Sequence, residues 1–469
     1  MSIKFTSDIM ETIRKQQIET TLNKAKKYAW EYMSNIGKRH VYPHESDRAN
    51  LSIFDETLNK EPQSPDEILE MLNTYGSPAT VAQTGGRYFG FVCGAIIPST
   101  IASKWLADAW DQNPAMFVLS PIASKIESVV EKWIIDLLKL PDESSVGYVS
   151  GSSTASFVGI CTGRNYLLSR KGFNPIENGL ADMPKIKVVL GVDAHSTIYK
   201  ALSMAGLGSE NVIKVPVDNQ GRMIASEMPE LDDLTLVIAQ AGHVSSGAFD
   251  PFKEICEKAQ ASNSWVHIDG AFGLWARADT RFDELTQGIE LADSWSVDGH
   301  KTLNAPYDNG IAICKHTQPL IDSMQMTGSY IITSDDRDGM MYTPEMSRRA
   351  RAIDLWSTLK GLGQKGVADM IYEMHSKAAY FAMKLSENGL EILNDICFNQ
   401  IIAKYQTDQK TMALIEALQK SGVMWLGGAK WKGQEIIRIS VCSFRTTYDD
   451  IDLCINEFIN QINILEKHI

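Results

Sequence analysis

Trp265-Val266-His267-Ile268-Asp269-Gly270-Ala271 is a short apolar run that ends on a carboxylate and two small residues. Such a run fits a strand buried on both faces, the kind that fills parallel sheets. Working outward, similar runs recur at 234–242 and 294–300, and further off at 146–151, 185–192, 211–217 and 310–315. Amphipathic segments at 154–170, 197–206 and 251–262 alternate with them at helical spacing. The fold class read from this rhythm is α/β, a mostly parallel sheet covered by helices on both faces. Sheets of that kind bind ligands at the carboxyl ends of their strands, so the chemistry is expected where these runs stop.

Four features sit at those ends. Ser150-Gly151-Ser152-Ser153-Thr154-Ala155 joins a strand to a helix, where free N–H groups and the helix dipole can cradle a phosphate; a simple N-cap explains the same residues. His195, in Asp193-Ala-His-Ser-Thr197, offers a flat ring or a capping turn. Asp269 is a carboxylate at a buried strand end, which calls for a cation or strong donor, although an ordinary turn aspartate looks alike. His300-Lys301 closes the run from Ser294. Burial there would lower the lysine pKa and free its amine to attack a carbonyl; the alternative is a solvated loop lysine. Taken together, a phosphate cradle, a ring to stack on, an anion and an amine are the partners that pyridoxal phosphate needs.

Other motifs carry less. Gly361-Leu-Gly-Gln-Lys-Gly366 has dinucleotide-fingerprint spacing but follows a helical stretch instead of a strand, and reads as a helix break. No P-loop or HExxH occurs, and Pro43 between His40 and His44 spoils a helical metal pair. No metal site is expected.

The rest of the chain frames this core. Residues 7–34 read as one amphipathic helix, 65–76 as a short helix and 121–139 as a longer one. After 344 come a helical region at 346–388, strand runs at 400–405 and 435–442, and helices at 409–420 and 447–465. This gives an N-terminal helical segment (1–80), a large cofactor domain (81–345) and a smaller C-terminal α+β domain (346–469).

Composition bounds the function. The 469 residues carry a net charge of −13, which disfavours nucleic-acid binding. Seven cysteines, scattered and odd in number, suit a reducing compartment. The start lacks a signal-like apolar core and no stretch is long enough to span a membrane. A cytoplasmic protein is expected.

The sequence resembles the group II pyridoxal-phosphate-dependent amino-acid decarboxylases, in particular a bacterial branch. The likeness lies in ArgTyrPheGly (87–90), SerProIleAlaSerLysIleGlu (120–127), SerGlySerSerThrAla (150–155), AspAlaHisSerThr (193–197), GlyAlaPheAspPro (247–251), HisIleAspGlyAla (267–271), AlaAspSer (292–294), AspGlyHisLys (298–301), SerArgArgAlaArg (347–351) and ArgThrThr (445–447). The resemblance implies the fold type I of aspartate aminotransferase. It implies that Lys301 bonds to the cofactor's aldehyde, Asp269 holds the pyridine nitrogen and His195 stacks on the ring. Gly151, Ser152, Ser153 and His300 would hold the phosphate, and Ala271 would line the ring's site. The implied reaction releases CO2 from an L-amino acid and returns a proton to Cα.

For the proton donor, the family uses a loop tyrosine. The corresponding stretch, 328–345, holds Tyr330 and Tyr342, and Tyr342 is preferred. Gly242-His243-Val244 stands where many members have Gly-Thr-Thr, so His243 either substitutes for a hydroxyl or is a surface residue. The aromatics at 88–91 and Trp110 favour an aromatic substrate. Two alternatives are a decarboxylation-coupled aldehyde synthase and a carbon–carbon lyase on a phosphorylated amino alcohol. The lyase would need a second basic pocket, from Arg87, Arg348, Arg349 or Arg351. The family also implies a homodimer whose sites are completed across the interface, with segment 7–34 lying on the partner.

Overall fold

The computed structural model describes residues 7–325 and 336–467. All seven apolar runs become strands of one sheet: β1 (Ser145–Val149), β2 (Lys187–Gly191), β3 (Val212–Val215), β4 (Thr235–Gln240), β5 (Trp265–Asp269), β6 (Ser294–Asp298) and β7 (Gly310–Cys314), in the order β1-β7-β6-β5-β4-β2-β3. β7 runs antiparallel to both neighbours, while β3, β2, β4, β5 and β6 are parallel. The link from β6 to β7 is too short for a helical crossover, so the chain must turn back on itself. That tight link carries His300 and Lys301. Every residue of β1, β4, β5, β6 and β7 is buried, which is why these strands read as continuous apolar runs.

The helices Ser152–Ser169, Ser196–Met204 and Phe252–Ala261 lie where the spacing put them. The N-terminal segment differs: it is two helices, Asp8–Arg14 and Ile18–Asn35, interrupted at Gln16 and the extended Gln17. Pro98–Trp110 is a helix absent from the sequence reading. Pro98 at its first turn is a sound start signal, but the glycines before it hid the pattern. The Gly361–Gly366 motif is indeed a break. Within Ala352–Glu387, Gly363 takes φ +63° and ψ 173°, a left-handed φ that favours glycine.

A second, antiparallel sheet follows: β8 (Glu391–Ile392), β9 (Gln400–Lys404), β10 (Gly427–Trp431) and β11 (Gln434–Ser440), in the order β10-β11-β9-β8. β9 and β11 were legible as strands. β8 is two residues long and β10 opens on two glycines, so neither carries a strand signal. Residues 87–89, from the other end of the chain, bind to this C-terminal region. Phe89 N–H donates to the Trp425 carbonyl at 2.7 Å, and Ser440 N–H to the Phe89 carbonyl at 2.9 Å. Phe89 itself is buried with Phe381, Phe458 and Ile437 in the C-terminal core. These contacts hold the 87–93 stretch over the ends of the large sheet.

Candidate active site

The carboxyl ends of β2, β4, β5 and β6 and the start of helix Ser152–Ser169 open onto a cavity of about 780 Å3. His195, Asp269, Ala271, His300, Lys301 and the Gly151–Ser153 turn all line it. The sequence-predicted constellation therefore comes together in one place.

Gly151 is the N-cap of the helix. Ser152 is held by a neighbour that the sequence reading left without a role. Its N–H donates to Asp298 Oδ1 at 2.6 Å and its hydroxyl to Asp298 Oδ2 at 2.7 Å. Ser153 and Thr154 face the cavity, at the positive end of an 18-residue helix. The turn is a helix start without a side-chain cap of its own, and Gly151, Ser152 and Ser153 all line the cavity.

His195 caps helix Ser196–Met204. Its Nδ1 accepts from the Thr197 N–H at 3.3 Å and lies 2.7 Å from the Thr197 hydroxyl. Burial holds its pKa below the usual histidine value, so the ring is neutral and fixed, which suits a stacking face. Asp269 Oδ1 accepts from the Ala271 N–H at 3.2 Å. Burial pushes its pKa up, against the opposing pull of His195 and Lys301.

Lys301 corrects one expectation. Burial does act against its charge, but the Asp298 carboxylate, 2.9 Å from Nζ, outweighs it with help from Asp269. The pKa therefore lies above the ordinary lysine value, not below it. His300 Nδ1 accepts from the Asn309 N–H at 3.1 Å, its Nε2 lies 3.6 Å from Asp298 Oδ1, and its ring stacks on Tyr307 at 4.2 Å. Asp298, 1% exposed, thus ties the helix turn, His300 and Lys301 together. The sequence offered one signal for it, a charge ending the β6 run.

Other predicted residues lie elsewhere. Tyr342 does not line the cavity; its ring packs against the Arg337 guanidinium at 4.0 Å. Tyr330 lies outside the described residues. His243 is neither a surface residue nor part of the cavity wall. It is 4% exposed, its Nδ1 accepts from Ser245 and Ser246 N–H, and its ring meets the Trp431 edge. Burial brings its pKa down to about 4. Val244 lines the cavity in its stead, so no hydroxyl replaces the family threonine there. Trp110 is 46% exposed and away from the cavity.

The four arginines considered for a second basic pocket are all engaged. Arg87 donates to the Val423 and Gly37 carbonyls, Arg348 pairs with Glu127 at 2.6 Å, and Arg349 and Arg351 both reach Asp308. None of the four lines this cavity.

Another part of the cavity wall was read only in part from the sequence, which offered the aromatics at 88–91 but not Trp425 or Arg438. Phe91 and Tyr88 both stack on Trp425, with ring centroids 5.7 and 5.2 Å away, and Phe91 and Trp425 line the cavity. Gly90 permits this approach, since a Cβ there would overlap the Trp425 ring. Phe91 is 61% exposed. Arg438, on β11, faces the cavity and makes no ion pair or hydrogen bond among the described residues. Burial holds its pKa below the usual arginine value. A lone cation in the run Ile436-Ile437-Arg438-Ile439 was the available signal.

These residues fit pyridoxal phosphate by their chemistry. A buried carboxylate with one backbone hydrogen bond, a neutral fixed ring, a lysine amine and helix-start donors share one cavity. The comparisons with known proteins agree. The family described as "Pyridoxal-dependent decarboxylase conserved domain" matches residues 48–404. An aromatic-L-amino-acid decarboxylase of Bacillus atrophaeus is 26% identical over 321 residues, covering 66% of this chain and 65% of that protein. The human acidic amino acid decarboxylase GADL1 is 24% identical over 403 residues, covering 79% and 76%. In fold, the chain superposes on a crystal structure of Oryza sativa TDC with PLP and tryptamine, with TM-score 0.88 and 19% identity over 98% of this chain and 100% of that one. The chain belongs to the pyridoxal-dependent decarboxylase family and is a pyridoxal-phosphate-dependent carboxy-lyase of amino acids.

Proposed function

We propose that this enzyme decarboxylates an L-amino acid with an aromatic side chain, releasing CO2 and the amine. The observation that carries the side-chain preference is the Tyr88–Trp425–Phe91 stack, which offers an exposed ring face at the cavity wall. Aromatic pairs gain about 0.5–1.5 kcal/mol beyond the area they bury.

Roles follow from position. Lys301 would supply the amine for the cofactor's aldehyde, Asp269 the anion for the pyridine nitrogen and His195 the stacking face. Gly151, Ser152, Ser153 and His300 would hold the phosphate, and Ala271 would line the ring's site. When bound, the cofactor supplies an electron sink for the bond pair that CO2 leaves behind. Arg438 is the free cation of the wall and holds the substrate's carboxylate. Asp298 keeps the Lys301 amine charged and oriented whenever it is released.

The test is a panel of amino acids with the holoenzyme, measuring CO2 and amine together. Aromatic amino acids should give both in equal amounts; amino acids consumed without CO2 would sink the proposal. Arg438→Ala should raise KM by about tenfold or more, the scale of one lost charge-assisted hydrogen bond. The lyase alternative loses support because its four candidate arginines are engaged elsewhere.

The enzyme acts as a cytoplasmic homodimer in this reading. Among the described residues no helix is long and apolar enough to cross a membrane, and no cysteine is disulfide-bonded. Trp105, Trp110, Leu119 and Ile122 are all more than 40% exposed, as are Ile18, Leu22 and Trp30 of the N-terminal helix. Exposed apolar surface of that extent marks an interface. Sedimentation at micromolar concentration should return twice the chain mass; a monomer would refute the assembly.

A further inference from the structure

Gln240 is a buried polar side chain to which the site described above gives no role. It ends β4 and pairs in register with Asp269 on β5. Paired residues of neighbouring strands point to the same face of a sheet, and both side chains line the cavity. Gln240 is 8% exposed. Its backbone is fixed: the N–H donates to Asp250 Oδ2 at 2.8 Å, and the carbonyl accepts from the Asp250 N–H at 3.2 Å. Its side-chain amide makes no hydrogen bond among the described residues, and a buried amide calls for a partner. Neighbouring polar groups of the wall are engaged. Gln419 donates to the Leu426 carbonyl at 2.7 Å, and the Thr197 hydroxyl lies 2.7 Å from His195 Nδ1.

We propose that the Gln240 amide donates a hydrogen bond to the phenolic oxygen of the cofactor's ring, an inference that rests on the cofactor placement proposed above. The order of the sheet carries it. The residues assigned to the phosphate, Gly151–Ser153 and His300, follow β1 and β6, and Lys301 lies on the β6–β7 link. All of them are on one side of β5 and its Asp269; Gln240, on β4, is on the other. In pyridoxal phosphate the phosphate arm and the phenolic oxygen flank the aldehyde on opposite sides, and the nitrogen lies across the ring. With the nitrogen on Asp269 and the phosphate on the β1 and β6 side, the flank with the phenolic oxygen turns toward β4. Its other substituent is a methyl group, which needs no donor. Val244 stands where many family members carry a threonine and offers no hydroxyl; the amide of Gln240 supplies an N–H instead.

A donor at that oxygen changes how the bound cofactor titrates. When the aldehyde carbon is bonded to Lys301 Nζ, that nitrogen and the phenolic oxygen share one proton. Once the proton leaves, the oxygen carries a full negative charge, and an N–H aimed at it stabilises the charge most in that state. The amide therefore favours loss of the proton and lowers the pH at which the visible band changes.

Gln240→Met and Gln240→Leu both remove the amide at similar volume and differ in shape. In the holoenzyme without substrate, the pH midpoint of the visible band should rise by about one unit in both, the scale of one charge-assisted hydrogen bond. The dissociation constant for pyridoxal phosphate should rise by about tenfold. The charged and titratable groups around the amide, Asp250, Asp269, His195, His300, Lys301, Asp298 and Arg438, are the same in wild type and variants, so the shift reports the amide. The amide bonds to no other part of the described fold, and the cofactor-free variants should melt no lower than cofactor-free wild type. An unmoved midpoint in either variant overturns the proposal even where activity falls, since a packing role slows the enzyme without moving the cofactor's titration. Lower melting of both cofactor-free variants would assign the amide to the fold and overturn it as well. A wild type that forms no visible band with pyridoxal phosphate overturns the cofactor placement itself, and the role of Gln240 with it.

Discussion

Lys301→Ala should abolish the visible absorbance band of the cofactor bound through its aldehyde and leave amine formation reduced by about 10³-fold or more, at the upper range of losing a catalytic proton-transfer group. The amine of Lys301 lies in the cavity 2.9 Å from Asp298, and no other lysine lines that cavity among the described residues. No second amine can take over the bond. Borohydride reduction separates this loss from simple loss of affinity. It should fix the cofactor's mass onto the wild-type chain and not onto the variant. The fold should survive, because Ser152 keeps both hydrogen bonds to Asp298 without the lysine. A normal band in the variant would overturn the whole site assignment.

Asp269→Asn should lower kcat by about 10²–10³-fold, the scale of removing one preorganised electrostatic partner, while the absorbance band persists. The substitution keeps size and the acceptor for the Ala271 N–H. In the proposed site it removes the negative charge that would hold a ring nitrogen protonated, and with it a charge-assisted hydrogen bond about twice as strong as a neutral one. Because burial already penalises the carboxylate's charge, the cofactor-free variant should be at least as stable to heat as the wild type. Wild-type kcat in Asp269→Asn would show that the carboxylate serves packing alone.

Asp269 and Lys301 were both legible in the amino-acid sequence, and for the same reason. Asp269 ends a buried strand and Lys301 lies three residues beyond the end of another, where charges close an apolar run. Periodicity and composition report local burial directly, so the seven strands of the large sheet were legible too. The smaller sheet was half legible, because β8 is too short and β10 too rich in glycine to carry a pattern.

What was not legible depended on distance along the chain. Trp425 and Arg438 come from the C-terminal region and Phe91 from near the N-terminal one, and they share a cavity with Lys301 where residues 87–89 hydrogen-bond to Trp425 and Ser440. Tyr342 packs against the cation Arg337, itself pinned by Glu127 and Glu131, and does not line its own chain's cavity. The pKa of Lys301 also needed three dimensions, since burial alone predicts one sign and the Asp298 carboxylate imposes the other.

Local patterns were therefore enough for the α/β sheet, the cofactor and the residues that end the strands, because each is a run of burial interrupted by charge or small side chains. The meeting of Phe91 with Trp425 and Arg438 at the cavity, and the carboxylate that governs Lys301, came only from the assembled fold. Those depend on which strand ends and loops are brought together, and no local pattern encodes that.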